Sequence, residues 1–571
     1  MSGGVYPVFS LYHYKIVHES FYKPMAISMR KGGRYMTTYL LVTAAVIFAC
    51  IFLSRVSNKL GIPTLLGFIV LGMIFGSDGI LKIPFDNYMF AEQVCSIALI
   101  FIMFYGGFGT NWNQAKSVAV KAILLSSVGV VVTAGLTGLF CHYALSMNWV
   151  ESFLIGALIG STDAASVFSV LRSKRLNLKY NTASLLEVES GSNDPCAYML
   201  TATFIAVAQG TASGKEIGFL IGEQVVFGIA FGALIAFVTV KLLKKLRFGV
   251  AGFDMIFVVG IAILSYAFPA RFGGNGYLSV YIVGIVLGNT EISNKRNLVN
   301  FFDGVTGLMQ MLIFFLLGLL AFPSRLPQVA FPALLIAIWL TFAARPVAVA
   351  AVLAPFKSKI SQQLLVSWAG LRGAASIVFA IMASMAVTTE NDIFHIVFMI
   401  VLFSILLQGS LLPVVAKKLD MIDKNADVMK TFNDYSEEVP VQFIQLTIPE
   451  GHHWNGKKLK DLTLPPETLI VLLRRNGENI VPNGETELEK GDVLILSATS
   501  PDRVEGVCLT EIYLEEDSRY TGKLLSEIPK QNNELVIMIQ RGDQVIIPHG
   551  NIRLEAGDLL VLNRTEVQTV L

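Results

Sequence analysis

The chain has 571 residues, of which 54% are hydrophobic and only 15% are charged. Soluble domains carry about 25% charged residues, and the deficit lies between about residues 37 and 418, where long apolar runs follow one another. The composition excludes an ordinary soluble protein, and a net charge of +2 is too small to indicate nucleic-acid binding. We therefore expect an all-α polytopic membrane domain over residues 36–418 and a smaller soluble part after it.

The segment before the membrane domain, residues 1–35, is aromatic and basic. It has no apolar stretch ahead of a cleavage site, so it is not a signal peptide. Met36 directly precedes the first apolar run. We interpret residues 1–35 as an N-terminal extension, either native or the product of a non-native start.

About thirteen apolar runs are candidates for membrane spans, because a bilayer core about 30 Å thick needs about 20 apolar residues as helix. They lie near residues 37–57, 62–77, 92–107, 117–145, 150–171, 182–209, 218–245, 252–269, 276–289, 298–322, 329–354, 362–387 and 391–417. The runs at 62–77 and 276–289 are short, which indicates broken helices or helices surrounded by protein.

Lysine and arginine are concentrated in every second loop. The basic set includes Lys174 and Arg175, Lys244 and Lys245, and Lys417 and Lys418. Positive loops face the cytoplasm, so we expect a cytoplasmic C-terminus and, for an odd number of spans, an external N-terminus. Arg30, Lys31 and Arg34 conflict with this orientation, which favours a non-native start for residues 1–35.

Few carboxylates lie inside the predicted spans, and each costs about 2.5–3.5 kcal/mol at the centre of a membrane helix. The first is Asp163 in the stretch GSTDAAS. Small and hydroxyl-bearing neighbours such as Thr162 suit an unwound helix, where carbonyls and hydroxyls replace the water shell of an ion. We predict a functional acid here; the alternative is a hydrogen-bonded aspartate at a helix-packing site.

A second polar cluster lies in the stretch LLEVESGSNDPCAYML. Its members are Glu187, Glu189, Ser190, Asn193 and Asp194. Glu187, Ser190 and Asp194 share one helix face at i, i+3 and i+7, and Pro195 disturbs the turn before it. The alternative, that the segment is a cytoplasmic helix end, is plausible for Glu187 and weak for Asp194.

Two arginines also fall within predicted spans. Arg372 lies in the stretch GLRGAAS, and a buried arginine needs a negative partner; we expect Glu187 or Glu189 to supply it. Arg345 precedes Pro346 and is either a functional charge or a charge near a helix break. The five cysteines have no CxxC spacing, and we predict neither disulfides nor a metal site among them.

The soluble tail contains a tandem repeat with a spacing of 66 residues. Arg475 recurs as Arg541, and the pair Gly491-Asp492 recurs as Gly557-Asp558. Each unit is predicted to be α+β, with a strand, a short helix and hairpin strands. We place a linker at residues 419–438, the first unit at 439–502 and the second at 503–571.

These units resemble the TrkA-C (RCK-C) domain, especially in the stretch LIVLLRRNGENIVPNGETELEKGDVLIL. In that family the domain regulates potassium channels and transporters, commonly dimerises, and in some members binds cyclic di-AMP. The resemblance leaves two alternatives here: the two copies sense a small ligand, or they only mediate dimerisation.

The motifs GSTDAAS, ESGSND and GLRGAAS, in this order, resemble those of the monovalent cation:proton antiporters of the NhaP and sodium–hydrogen exchanger type. With its tail, the whole chain is similar to bacterial potassium/proton antiporters of the NhaP type. The resemblance implies a homodimer with about thirteen helices per subunit. The recurrence of AAS at residues 164–166 and 374–376 favours two structural halves, the inverted repeats common in secondary transporters. The resemblance also implies a six-helix transport domain in which two unwound helices, the spans of Asp163 and Arg372, cross near the midplane.

The resemblance further assigns the site residues. It implies that Asp194 binds the ion and the proton and that a monovalent cation lies at Asp163 and Asp194. The supporting ligands it implies are Thr162, Ser190 and Glu189, and Asn193 matches a structural asparagine. Our own interpretation adds Arg372, Glu187 and Arg345 as charge-compensating residues. Many relatives have two leucines where this chain has Gly191 and Ser192.

We therefore expect a transporter, not an enzyme, that exchanges K⁺ or Na⁺ for H⁺ one for one across the bacterial cytoplasmic membrane. Its partners would be these ions, membrane lipid and a second copy of the chain, with no cofactor besides a regulatory nucleotide. The alternative is a ligand-gated cation channel with a TrkA-C tail. The sequence has no TVGYG-like filter and no GxxxxGK[ST] phosphate loop, which disfavours a channel and a primary pump.

Overall fold

The computed structural model describes residues 23–60, 63–174, 176–245, 252–292, 295–423, 441–465, 468–475, 477–499, 509–515, 518, 520–528, 534–541 and 544–564. These residues belong to two compact units, Met1–Ser436 and Glu437–Leu571. The first contains the helices and the second contains the two β-sheets of the repeat.

The first unit is almost entirely helical. Its helices are α1 Lys23–Leu60, α2 Thr64–Phe75, α3 Tyr88–Gly109, α4 Trp112–Ala115, α5 Ala119–Leu145, α6 Trp149–Leu158, α7 Ala164–Ser173, α8 Thr182–Ala208, α9 Lys215–Lys245, α10 Phe253–Arg271, α11 Gly276–Gly288, α12 Lys295–Leu320, α13 Leu326–Leu353, α14 Ile360–Trp368, α15 Ala374–Ala386 and α16 Ile393–Lys418. The short strands β1, Asn177–Leu178, and β2, Ile422–Asp423, pair beside them. Eight of the described helices are long and apolar enough to cross a membrane.

The described helices account for the thirteen predicted spans, and two spans are interrupted. The run predicted at 150–171 is divided into α6 and α7 by residues 159–163, and the run at 362–387 is divided into α14 and α15 by residues 369–373. Helix α1 begins at Lys23 and so extends into the predicted extension, of which residues 1–22 lie outside the described part.

The helices pack as two groups. The scaffold group, α1–α3 and α9–α12, has its main contacts within itself, and so does the core group, α5–α8 and α13–α16. Helices α8 and α15 of the core group contact α3 and α11 of the scaffold group. In the scaffold group, a Cβ atom at Gly284 or Gly288 would collide with the carbonyls of Phe104 and Phe108, so α11 and α3 pack backbone to backbone.

Every continuous helix of the core group is irregular in its interior. Helices α5, α13 and α16 each contain a π turn, at Leu125–Gly129, Leu340–Ala344 and Ser404–Gly409. Helix α8 contains Pro195, which lacks the backbone donor of a regular turn. Because π turns occur often at functional sites, these irregularities indicate that the core group holds the functional site.

The second unit consists of two antiparallel sheets of the same topology. The strands are β3 Val441–Thr447, β4 Thr468–Arg475, β5 Glu478–Ile480, β6 Val493–Thr499, β7 Leu509–Tyr513, β8 Glu534–Arg541, β9 Gln544–Ile546 and β10 Asp558–Arg564. Their orders are β3-β6-β4-β5 and β7-β10-β8-β9. The predicted short helix is a single 3₁₀ turn in each described repeat, Leu459–Asp461 and Leu525–Glu527.

An arginine–aspartate pair with a buried carboxylate explains why Arg475 and Asp492 recur in the second repeat. Arg475 donates to both carboxylate oxygens of Asp492 at 2.8 and 2.7 Å, and Arg541 does the same to Asp558 at 2.7 and 2.8 Å. Burial raises the pKa of Asp492, but hydrogen bonds from Arg475 and from the Glu489 amide outweigh burial and hold this pKa below its usual value.

We predict that Asp492→Asn destabilises only the first repeat. Because the pKa of Asp492 is lowered in the folded protein, its contribution to stability is present above the unfolded pKa of about 3.9. That contribution is lost as the pH falls through the lowered value. At pH 7 the variant should lose about 1–3 kcal/mol, and hydrogen–deuterium exchange of the full-length protein should show faster exchange in β4 and β6.

The matched control is Asp558→Asn, which should accelerate exchange in β8 and β10 and leave β4 and β6 unchanged. Unchanged exchange of β4 and β6 in Asp492→Asn would show that the arginine–aspartate pair does not stabilise the repeat.

Candidate functional site

The two interrupted spans meet at their unwound segments. The backbone N–H of Asp163 donates to the carbonyl of Leu371 at 2.8 Å, and Arg372 Nη1 donates to the carbonyl of Ser161 at 2.7 Å. A Cβ atom at Gly373 would collide with the side chain of Asp163, so the segments touch there. Residues 159–163 and 369–373 therefore cross each other, as the resemblance implied, and we call this place the crossing.

Helix α8 binds the first unwound segment through three side chains. Ser190 Oγ donates to the carbonyl of Thr162 at 2.7 Å, and Asn193 Nδ2 donates to Thr162 Oγ1 at 2.5 Å. Asp194 accepts a short hydrogen bond from Ser161 Oγ. Since Ser190, Asn193 and Asp194 are buried, the crossing and the carboxylate of Asp194 form one polar site inside the helix bundle.

Asp163 lies at the start of α7 and accepts hydrogen bonds from Ser166. The amide of Ser166 is 3.3 Å from Oδ1 and its hydroxyl is 2.5 Å from Oδ2. A carboxylate at a helix N-terminus is stabilised by the backbone donors and the dipole of that helix. This local stabilisation fits the supporting position predicted for Asp163, whereas Asp194 comes from the middle of its helix.

The sequence predicts Glu187 or Glu189 as the negative partner of Arg372, and the structure places a second arginine at Glu189. Glu189 pairs with Arg345 at 2.5 Å, with exposed fractions of 1% and 2%, and it is also close enough to Arg372 to interact with it electrostatically. The sequence makes Arg345 a weaker candidate than Arg372, because a functional charge and a charge near the helix break at Pro346 fit its surroundings equally well. Three-dimensional packing joins residues 156 positions apart, which sequence spacing could not reveal.

Arg372 is held by the crossing itself. Its side chain is fully buried, Nη1 contacts the Ser161 carbonyl, and its backbone N–H donates to Ser404 Oγ at 3.0 Å. Ser404 in turn donates to Gln408 Oε1 at 2.5 Å within the π turn of α16. The guanidinium therefore lies close to the carbonyls that follow the C-terminal end of α6, where the helix dipole favours a positive charge.

Ser161 and Asn275 contact the site, and Glu151 anchors the other end of α6. Ser161 donates a hydrogen bond to Asp194. Its hydroxyl in the stretch GSTDAAS is a feature from which the sequence could have predicted a role in the site. Glu151 at the start of α6 accepts from the Glu390 amide and, at 2.7 Å, from Asn391 Nδ2. Asn275 of the scaffold group donates to the carbonyl of Pro195 at 2.7 Å. The sequence carried no signal for Glu151 or Asn275, because their partners are distant in the chain.

Glu187 lies in the second turn of α8 and is 6% exposed, so it is not at an exposed helix end. It is two turns from Asp194 on the same side of the helix. The structure thus brings Asp163, Thr162, Ser190, Asn193, Asp194 and Arg372 together at the crossing. It places the Arg345–Glu189 pair within the same core group.

Comparison with known proteins identifies the family. Residues 44–418 match the transmembrane sodium/hydrogen exchanger family, and residues 443–505 and 509–570 match the TrkA-C domain. The chain belongs to the sodium/hydrogen exchanger family, and it is a membrane transporter that exchanges a monovalent cation for protons. The resemblance predicted from the three motifs and the tail is confirmed.

Its relatives include named antiporters. The chain is 34% identical over 463 residues to the K(+)/H(+) antiporter NhaP of Alkalimonas amylolytica, covering 80% of each chain. It is 28% identical to the low-affinity Na(+)/H(+) antiporter NhaS1 of Synechocystis, covering 58% of this chain and 65% of that protein. The structure of the sodium proton antiporter MjNhaP1 from Methanocaldococcus jannaschii has the same fold, with a TM-score of 0.59 at 24% identity, over 67% of this chain and 99% of that one.

We predict that Arg345→Met destabilises the membrane unit because it leaves the carboxylate of Glu189 buried without its partner. Removing one member of a buried ion pair costs about 3–5 kcal/mol, whereas removing both charges is often close to neutral. The apparent melting temperature of the detergent-purified protein should therefore fall in Arg345→Met and recover in Arg345→Met combined with Glu189→Gln.

Arg345→Met combined with Asp303→Asn is the matched control, since Asp303 lies in the scaffold group with Tyr105 and its change should give no recovery. A double variant of Arg345 and Glu189 that melts no higher than Arg345→Met alone would show that the two charges are not energetically coupled.

Proposed function

We propose that this protein exchanges K⁺ for H⁺ one for one across the bacterial cytoplasmic membrane, with Asp194 binding the cation and the proton in turn. The observation that carries the proposal is the buried carboxylate of Asp194, held by Ser161 at the crossing of two broken helices. Carbonyl, hydroxyl and carboxylate oxygens at one buried place can replace the water shell of a monovalent cation.

Coupling follows from the cost of moving a bare charge. An isolated carboxylate in a low-dielectric interior costs several kcal/mol, and a bound proton or cation removes most of that cost. The core group therefore moves readily only when Asp194 is loaded. Since one carboxylate cannot hold both ligands, a cation carried one way requires a proton carried the other way.

The charges at the crossing support an exchange of one cation for one proton. Glu189 is neutralised by Arg345, and Asn193 contributes an uncharged amide beside Asp194. The crossing then holds two carboxylates, Asp163 and Asp194, and one guanidinium, Arg372. One negative charge is in excess, and a single proton or a single monovalent cation neutralises it.

The choice of K⁺ is supported by the relatives with the greater coverage, which are named K(+)/H(+) antiporters. The TrkA-C units are typical of potassium transport proteins, as the tail resemblance implied. The shorter match to a Na(+)/H(+) antiporter makes Na⁺ the competing substrate.

The orientation and assembly belong to the same proposal. The basic loops support a cytoplasmic C-terminus, and we propose that the TrkA-C units regulate exchange from the cytoplasm. We further propose that the protein works as a homodimer, the assembly that the family resemblance implies. Binding of a nucleotide such as cyclic di-AMP to these units stays a prediction.

We predict that Asp194→Asn abolishes exchange, because an amide can neither bind a proton nor neutralise a cation, and that Asp163→Asn strongly reduces it. The measurement is dequenching of a pH-sensitive dye in proteoliposomes when K⁺, Na⁺ or Rb⁺ is added. Wild-type protein should respond to K⁺ at lower concentrations than to Na⁺, without a requirement for an imposed membrane potential.

Asp303→Asn is the matched control, since Asp303 lies in the scaffold group, where it accepts from Tyr105 at 3.1 Å, and should leave exchange unchanged. Normal exchange by Asp194→Asn would contradict the assignment of this carboxylate. Cation flux without proton movement in the wild type would favour the ligand-gated channel.

A further inference from the structure

One stripe of α8 faces the scaffold group beside the transport site. Glu187, Gly191, Asp194 and Tyr198 follow at steps of four, three and four residues, so they lie along one side of the helix. The Tyr198 ring packs edge-on against Tyr277 of α11, with 5.1 Å between the ring centroids. Helix α11 of the scaffold group thus runs along the side of α8 that carries Asp194.

Tyr281, one turn along α11 from Tyr277, lies on the backbone of Gly191. A Cβ atom at Gly191 would be 2.6 Å from Cε2 of the Tyr281 ring and 2.8 Å from its hydroxyl oxygen. Any side chain at residue 191 would therefore displace the ring. Because Gly191 is one turn from Glu187 and one turn from Asp194, the hydroxyl lies between the turns that bear these two carboxylates.

Tyr281 is only 3% exposed, and Thr110, which follows the end of α3, lies near its hydroxyl. The Tyr277 hydroxyl interacts with Ser96 and Tyr266. Tyr281 is close enough to Glu187 and Asp194 to interact electrostatically with both.

We propose that Tyr281 is a further ligand of the transported cation and helps to select it, with Gly191 providing the space for its hydroxyl beside Asp194. This inference rests on the proposed function, since it requires a cation at Asp194. A phenolic oxygen suits a monovalent cation, which is bound by oxygen atoms.

The origin of this ligand in the scaffold group has a consequence for transport. Asp194, Thr162 and Ser161 all belong to the core group, whereas Tyr281 belongs to the helix against which the core group lies. When the core group moves relative to α11, the cation loses the Tyr281 oxygen and keeps the others. Tyr281 therefore strengthens cation binding in only one orientation of the transport site. The ligands from the core group contact the cation in both orientations.

The test is Tyr281→Phe, which removes the hydroxyl and keeps the ring that packs on Gly191. In the proteoliposome assay we expect the apparent KM for the preferred cation to rise roughly five-fold, with a maximal rate within about two-fold of wild type. The ratio of the KM values for K⁺, Na⁺ and Rb⁺ should change as well. The matched control is Tyr277→Phe, on the same face of α11, which should leave all three values unchanged.

A second variant, Gly191→Ala, should displace the ring and raise KM in the wild-type background, but should add little to Tyr281→Phe, because both changes remove the same ligand. Unchanged KM values for all three cations in Tyr281→Phe, or a fall in the maximal rate alone, would overturn the proposal. Failure of the proposed function itself is distinguishable, because the wild type would then show no exchange.

Discussion

The crossing of the two unwound segments is the constraint on which the membrane unit depends. A helix broken inside the bilayer leaves backbone donors and acceptors that water cannot reach, and each costs several kcal/mol unless it is paired. Here the segments pair with each other, from Asp163 to Leu371 and from Arg372 to Ser161. Neither break could persist in the membrane without the other.

The crossing also decides what the neighbouring helices must do. The π turn of α16 presents Ser404 to the backbone of Arg372, and α8 presents Ser190 and Asn193 to Thr162. These contacts hold the polar groups around Asp194 in place, although the backbone of the unwound segments is not helical. The irregular turns in α5, α8, α13 and α16 thus accompany the two breaks. Together they provide the polar oxygen atoms at the centre of the core group.

Contacts between the two helix groups have a different character. Asn275 makes one hydrogen bond to the carbonyl of Pro195, and Tyr281 and Tyr277 pack along α8 beside Gly191 and Tyr198. These contacts are few and mostly apolar, whereas the groups are dense within themselves. Such an interface allows the core group to move against the scaffold group while the crossing stays intact.

Much of this arrangement could be predicted from the sequence. Hydropathy gave the spans, the cost of buried charge singled out Asp163, Asp194 and Arg372, and the 66-residue spacing gave the two sheets of the tail. The small and hydroxyl-bearing residues around Asp163 indicated one break, and the motif resemblance located both. The pairing of Glu189 with Arg345 and the contact of Tyr281 with Gly191 depend on which helices become neighbours, and a single sequence does not encode that in any local pattern.

Competition between cation and proton at one carboxylate is tested most directly by the pH dependence of cation affinity. In proteoliposomes the apparent KM for K⁺ should fall as the pH rises, by no more than about tenfold per pH unit, the limit set by one proton. The maximal rate at saturating K⁺ should stay nearly constant. A KM that does not change with pH would contradict a shared site at Asp194, and a steeper dependence would contradict the exchange of a single proton.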